Sequence, residues 1–431
     1  MDLTYTVRGG VPLSGDVIVG GSKNAALPLL AASVLAEGET VLRNVPDLSD
    51  IRAMLKILDF LGAETSFDNN TVRINATKIQ SKPIPDEYVC NFRGSIVLLG
   101  PLLARFGVAE MGYPGGCVLG KRPVIAHIEA FTQLGAEDTS TEEVLHLQGK
   151  LTPGHVILPE FSVTATENAV VAAALIPGIT TIDLAAAEPH VQDVCKFVEA
   201  MGAKVEGIGS HTLKVHGMAK LKGIDHTVIS DYLEAGTFVL AALVTHGKVR
   251  VHQIDYGHLH SFFDVLRRAG AKFQFEKDGT LVVDGESSQL KAMAVRTNIF
   301  PGFPTDLLSP LGVAMTQAQG VSRVFERLFE GRMAYLYELE KMGAHVEVLN
   351  AHQALIIGPT PLKGRTVASN DIRAGAAMVL AALCADGTTV INDIRYIERG
   401  YDRLDEKLRG LGARIERSAP TTSSQTHSIR H

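Results

Sequence analysis

The chain has no tryptophan, and its four cysteines lie far apart, at Cys90, Cys117, Cys195 and Cys384. No C-x-x-C pair occurs, which excludes a zinc knuckle and a disulfide framework and points to a reduced, cytosolic protein. No apolar run approaches the roughly 18 residues of a membrane span, so no membrane partner is expected. The start, Met1-Asp2-Leu3-Thr4, lacks the basic and apolar regions of a secretion signal. A basic surplus is also missing. The net charge is −6, against the basic face that a nucleic-acid binder needs. Fifteen histidines are present, yet before residue 418 none pairs with another at helical metal-ligand spacing, so no metal or other cofactor is expected.

What is present is repetition. Six segments end a helical apolar pattern with Gly-Ala and then alternate like a half-buried strand. Their glycines fall at 62, 135, 202, 270, 343 and 412. A spacing near 70 residues marks a repeated supersecondary unit, larger than a solenoid repeat. The glycine suits the left-handed residue that follows a last helical turn. Each unit also holds a longer helix, apolar nearly all round and therefore buried. The pattern predicts an α/β fold of six units, each strand–helix–strand–strand–helix–strand (βαββαβ), grouped as two domains of three. The tail 418–431 is rich in Ser and Thr, lacks an apolar pattern, and is expected to be disordered.

One loop stands out: Gly112-Tyr-Pro-Gly-Gly-Cys-Val-Leu-Gly-Lys-Arg-Pro123. Its glycines and prolines exclude a helix or strand interior. Cys117 lies four and five residues before Lys121 and Arg122, and cationic neighbours favour the reactive thiolate. The other three cysteines sit in apolar patterns, where a thiol is buried and slow to react. Near the start, Ser22 is a candidate cap, followed by Lys23 and Asn24 in a first helical turn. A cation there opposes the helix dipole, but suits an anion held beside free backbone N–H groups. Arg93, Asp306, and Asp371 with Arg373 stand in the same relation to later buried helices. Arg399 follows Tyr396-Ile-Glu398. Such helix N-termini would converge on a cleft that takes an anionic substrate.

These residues carry a resemblance. The six-unit repeat, Gly21-Ser-Lys-Asn-Ala-Ala-Leu27, the Cys117 loop, Phe303-Pro-Thr-Asp306, Asp371-Ile-Arg373 and Arg399-Gly-Tyr401 resemble the enolpyruvyl transferases. The cysteine loop resembles the branch that uses UDP-N-acetylglucosamine. The resemblance runs from about residue 5 to 417. It implies two inside-out α/β domains, one from residues 22–230 and one from 1–21 plus 231–417. It implies transfer of enolpyruvyl from phosphoenolpyruvate to a sugar hydroxyl with release of phosphate, the first committed step of peptidoglycan synthesis. By similarity, Lys23, Arg122 and Arg399 hold phosphoenolpyruvate, Cys117 donates a proton to its methylene carbon, and Asp306 takes the proton of the attacking hydroxyl. An aspartate is a weak base, so the site must raise its pKa or bind the hydroxyl in line. Asn24 is implied to contact the sugar and Ser162 and Val163 to meet the diphosphate, Pro123 and Leu328 are implied to bind substrate, and Arg93 and Arg373 look like binding or structural arginines. The cysteine loop is implied to close as a lid, and Cys117 to be alkylated by the epoxide fosfomycin.

The chain also departs from that pattern. Glu160 replaces a lysine expected to face the substrate diphosphate, Ile125 an acidic residue expected to face the uracil, Tyr232 an arginine, and Gly331 an asparagine. Reversing a charge about 5 Å from a phosphate costs several kcal/mol at an effective dielectric of about 20. Lys121 is a candidate compensation. The acceptor therefore stays open between UDP-N-acetylglucosamine and another nucleotide or nucleotide sugar. A catalytically silent nucleotide-sugar-binding relative is the remaining alternative.

Overall fold

The computed structural model describes residues 3–90, 92–115 and 124–418. Cys117, Lys121, Arg122 and Pro123 lie outside the described residues, as does the tail beyond Ser418. Ser418 itself ends a strand, Arg414–Ser418, that pairs with Thr4–Arg8, so the first residue of the expected tail belongs to a sheet.

Six central helices are buried against one another: Lys23–Ala32, Leu99–Phe106, Val163–Ala174, Tyr232–Val244, Leu308–Gln317 and Ile372–Cys384. Every residue of Tyr232–Val244 is buried. Alanine and leucine make this possible, because small side chains let helix axes approach and nothing polar needs water. Six outer helices alternate with them. Ser49–Leu61 and Pro189–Met201 are examples, each with one buried face. The six repeat glycines lie just beyond the outer helices, at φ of 102, 98, 128, 91, 97 and 92°. All six are left-handed, the conformation that a side chain disfavours.

The sheets lie outside the central helices. In each complete sheet one strand pair is parallel and two are antiparallel. His155–Ile157 runs parallel to Gly178–Asp183, which pairs antiparallel with Thr212–Gly217, itself antiparallel to Lys204–Glu206. The observed order within a unit is βαβαββ, not the βαββαβ expected from the sequence. A parallel pair needs a crossover, and the central helix supplies it. Around Val163–Ala174, the exit strand Gly178–Asp183 feeds straight into the outer helix Pro189–Met201, leaving one strand between the two helices, and Lys204–Glu206 and Thr212–Gly217 follow the outer one.

Two hydrophobic cores result. One is built from residues between Ala25 and Val228, the other from Tyr5 to Val19 together with Tyr232 to Ile415. The N-terminal strands explain this sharing: Thr4–Arg8 sits between Thr388–Asn392 and Arg414–Ser418, and Ser14–Ile18 runs parallel to Lys248–His252. The two passages of the chain between the cores lie side by side. Ser22 N–H donates to the Ile229 carbonyl at 2.8 Å, and Asp231 N–H to the Gly20 carbonyl at 2.8 Å. Among the described residues, no helix is long and apolar enough to cross a membrane.

Candidate active site

The central helices begin at the boundary between the cores, and their first turns carry the candidate residues. Ser22 caps Lys23–Ala32, accepting from Ala25 N–H at 3.3 Å, as the sequence predicts. Ser162 caps Val163–Ala174, with Val163 its first residue. Asp231 accepts from Leu233 and Glu234 N–H, and Asp371 from Arg373 and Ala374 N–H. Asp306 lies in the 3-10 turn that leads into Leu308–Gln317, and Arg93 opens the 3-10 turn before Leu99–Phe106. Each cap satisfies N–H groups that a helix start otherwise leaves unpaired.

Two charge clusters form there. In the first, Asp50 bridges two cations: its Oδ2 lies 3.2 Å from Lys23 Nζ and its Oδ1 3.0 Å from Arg399 Nε. Lys23 is buried, at 8% exposure. Burial lowers its pKa, and the Arg373 and Arg399 guanidiniums add to this, while Asp50 opposes them. Arg399 comes from the other core, so this cluster spans the boundary.

In the second, Asp306 is held by two arginines. Oδ1 accepts from Arg332 Nη1 at 2.7 Å and Oδ2 from Arg373 Nε at 3.1 Å. Burial alone would raise the Asp306 pKa. The two guanidiniums outweigh it and hold the carboxyl well below the usual carboxylate range. The two guanidiniums thus work against the raised-pKa route to a base. What stays is a carboxylate fixed in position, able to accept a hydroxyl proton in line. Glu326 sets this geometry. Buried, it accepts from Thr305 Oγ1 at 2.6 Å, Thr297 Oγ1 at 2.9 Å and Leu328 N–H at 2.7 Å, fixing the loop to Arg332 beside Asp306. Arg373 packs over the Tyr401 ring at 5.3 Å. The Tyr401 hydroxyl lies 3.0 Å from Thr237 Oγ1.

The structure thus brings together Lys23, Arg399, Asp306 and Arg373. Asn24 follows Lys23 on the same turn and is half-buried. Arg93 Nη1 reaches the Pro114 carbonyl at 3.5 Å, next to the segment outside the described residues. Leu328, Glu160 and Ile125 are exposed. Tyr232 is buried. Of the cysteines expected in apolar surroundings, Cys195 is buried and Cys384 half-buried, and burial pushes both thiols up to about 12. Cys90 is half-buried, less sheltered than its apolar neighbours imply.

Sequence reasoning missed Asp50, Arg332 and Glu326. Asp50 reads as an ordinary acidic residue in a first helical turn. Arg332 lies within Phe329-Glu-Gly-Arg332, where the sequence departs from the resemblance at Gly331. Also missed was a buried network in the first core. Asn168 Nδ2 lies 2.9 Å from His127 Nδ1, and His127 Nε2 lies 3.1 Å from Thr164 Oγ1. Burial, helped by Arg93, pushes the His127 pKa down to about 3.

Six units of helix-centred sheet and a two-cluster site are a specific combination, and comparisons with known proteins agree with it. Residues 7–408 match the family described as EPSP synthase (3-phosphoshikimate 1-carboxyvinyltransferase). The chain belongs to the enolpyruvyl transferase family. It is 41% identical over 414 residues to UDP-N-acetylglucosamine 1-carboxyvinyltransferase of Shewanella amazonensis, covering 96% of this chain and 99% of that protein. It is 40% identical over 418 residues to UDP-N-acetylglucosamine 1-carboxyvinyltransferase 1 of Caldanaerobacter subterraneus, covering 97% of this chain and all of that one. Among solved structures, the enolpyruvyl transferase NikO from Streptomyces tendae superimposes with a TM-score of 0.87 at 25% identity, over 97% of this chain and all of that one. An EPSP synthase from Acinetobacter baumannii shares the fold, with a TM-score of 0.76 at 20% identity. The enolpyruvyl transferase fold expected from the repeat is the observed one.

Proposed function

We propose that this enolpyruvyl transferase moves the enolpyruvyl group of phosphoenolpyruvate to the 3-hydroxyl of UDP-N-acetylglucosamine and releases phosphate. In the cell this would be the first committed, cytoplasmic step of peptidoglycan synthesis. The observation that carries the reading is the pair of largely buried clusters, Lys23–Asp50–Arg399 and Arg332–Asp306–Arg373, in a chain of this family. Lys23 and Arg399, with Arg122, take the phosphate and carboxylate, since a guanidinium fork matches both. Asp306 accepts the hydroxyl proton as the acceptor oxygen bonds C2 of phosphoenolpyruvate, and Cys117 delivers a proton to C3. A proton then returns from C3 to the Cys117 thiolate, restoring the double bond as the C2–O bond breaks and phosphate leaves. Asn24, Pro123, Ser162, Val163 and Leu328 serve the acceptor side, and Arg93 and Arg373 orient it. Residues 22–230, and residues 1–21 with 231–417, act as two domains that close on the acceptor; their separate cores support this division.

The test is phosphate release from phosphoenolpyruvate with a panel of UDP-sugars and nucleosides. Release with UDP-N-acetylglucosamine alone supports the reading, and release with no acceptor overturns it. A second reading, another nucleotide or nucleotide sugar as acceptor, is favoured by Glu160, Ile125 and Tyr232, all at positions where the resemblance expects other residues. The same panel separates the two. Mass analysis after fosfomycin treatment tests Cys117: one adduct, lost in Cys117→Ser, is expected.

A further inference from the structure

Tyr232 replaces an expected arginine, and its surroundings differ accordingly. Its ring lies parallel to the imidazole of His190, with centroids 6.2 Å apart and planes 9° apart. His258 meets the same ring edge-on, at 6.2 Å and 71°. His190 belongs to the first turn of Pro189–Met201, whereas Tyr232 and His258 come from the half with the other core. The stack therefore crosses the boundary on which both charge clusters sit. His190 is only 4% exposed, and its Nδ1 is buried without a hydrogen-bond partner among the described residues. Burial brings its pKa down to about 4, and Asp306 and Arg373 are both near enough for their charges to act on the ring. Arg332 Nε and Arg373 Nη1, in the adjoining cluster, are likewise buried and have no hydrogen-bond partner among the described residues. Buried polar atoms are normally paired, and a set of unpaired ones beside a site is what a bound polar ligand would satisfy.

We propose that His190 is a further substrate-positioning contact: its Nδ1 hydrogen-bonds an uncharged polar group of the acceptor, a sugar hydroxyl or amide, while Tyr232 holds the ring in place. This rests on the acceptor being a nucleotide sugar. The ligand group is uncharged because a neutral imidazole offers one dipole and no net charge. The anionic groups of the substrates are already matched by Lys23 and the arginines. Tyrosine at 232 fits this role, since a flat face fixes the imidazole plane without adding a cation beside Arg373.

Steady-state kinetics on the full chain test the proposal. His190→Phe keeps a flat ring on Tyr232 and removes the nitrogen. It is expected to raise the acceptor KM at least tenfold, with kcat and the phosphoenolpyruvate KM within threefold. His190→Asn carries an amide near the Nδ1 position and should recover most of the loss, which a purely structural role would not allow. Tyr232→Leu frees the ring and should raise the acceptor KM by an intermediate factor; it carries the test if His190→Phe fails to fold. An unchanged acceptor KM in active, folded His190→Phe, an equal rise in both KM values, or no rescue by His190→Asn would overturn the contact. A wild-type protein that neither turns over nor binds any UDP-sugar by calorimetry would overturn the transferase reading and the contact together. An active wild type with an indifferent His190→Phe overturns the contact alone.

Discussion

The two charge clusters use the same device, one carboxylate shared by two cations, but they are built differently. Arg332, Asp306 and Arg373 all belong to the half that carries the second core, with Glu326 bracing the loop between them. Lys23 and Asp50 come from one half and Arg399 from the other. The first arrangement is set by the folding of one half. The second exists only while the two halves are apposed. Pairing a buried charge is worth much more than its net contribution suggests, because removing one partner strands the other. A change in the Asp50 cluster should therefore alter how the halves meet, and a change in the Asp306 cluster should not.

The largest effect is expected at Asp306. Asp306→Ala should lower kcat about a thousandfold, within the range for a general base, and leave acceptor binding within a few fold. Its radius of gyration in solution scattering should match the wild type. Near-normal turnover would remove Asp306 from the chemistry.

Asp50→Asn comes next. It leaves Lys23 and Arg399 facing each other across the boundary without their shared anion. A loss of about a hundredfold in kcat/KM for phosphoenolpyruvate is expected, equivalent to about 3 kcal/mol. Scattering should show a larger radius than in Asp306→Ala. Equal radii in the two variants would erase the distinction between a cluster within one half and one spanning two.

A third test uses the His127–Asn168 network, confined to the first core. The folded pKa of His127, about 3, lies below the unfolded value near 6.5. Its contribution to stability is thus full above about pH 6.5 and is lost as the pH falls toward the folded value. Between pH 7 and 5 this amounts to about 2 kcal/mol. Glu167, whose pKa burial raises, acts in the opposite sense, so the informative quantity is a difference. His127→Gln should lose less stability than wild type over that range in denaturant titrations. Parallel pH profiles would show that His127 is not held neutral.

The smallest effect is expected at the exposed Glu160, just before the helix that Ser162 caps. Glu160→Lys should tighten UDP-sugar binding about threefold, and more at low salt, where surface charges are less screened. Unchanged calorimetric affinity would turn Glu160 away from the diphosphate and favour a different acceptor.

Much of the fold was legible because its signals are local. Apolar alanine- and leucine-rich runs mark the central helices, and a glycine after each outer helix marks a left-handed cap, which a neighbouring turn decides by itself. Lys23, Asp306, Arg373 and Arg399 were legible for a similar reason, as polar residues interrupting apolar helix starts or following one. Strand order was not local. Which of four short strands pair in parallel depends on the crossover geometry of the whole unit, and βαβαββ and βαββαβ place nearly the same residues along the chain.

Asp50 shows the limit most clearly. In the sequence it is one of many acidic residues in a helix's first turn, and 349 positions separate it from Arg399. Only the meeting of two cores makes it the anion between a buried lysine and a half-buried arginine. The Asp306 pKa is likewise a tertiary property. Burial and ion pairing act in opposite directions, and their balance depends on the Arg332 and Arg373 guanidiniums lying within 3.1 Å. The sequence by itself determined the repeat, the helix starts and the kinds of residues at the site. The tertiary structure decided which charges face each other, because Coulomb energies depend on distance and dielectric, and neither is written along a chain.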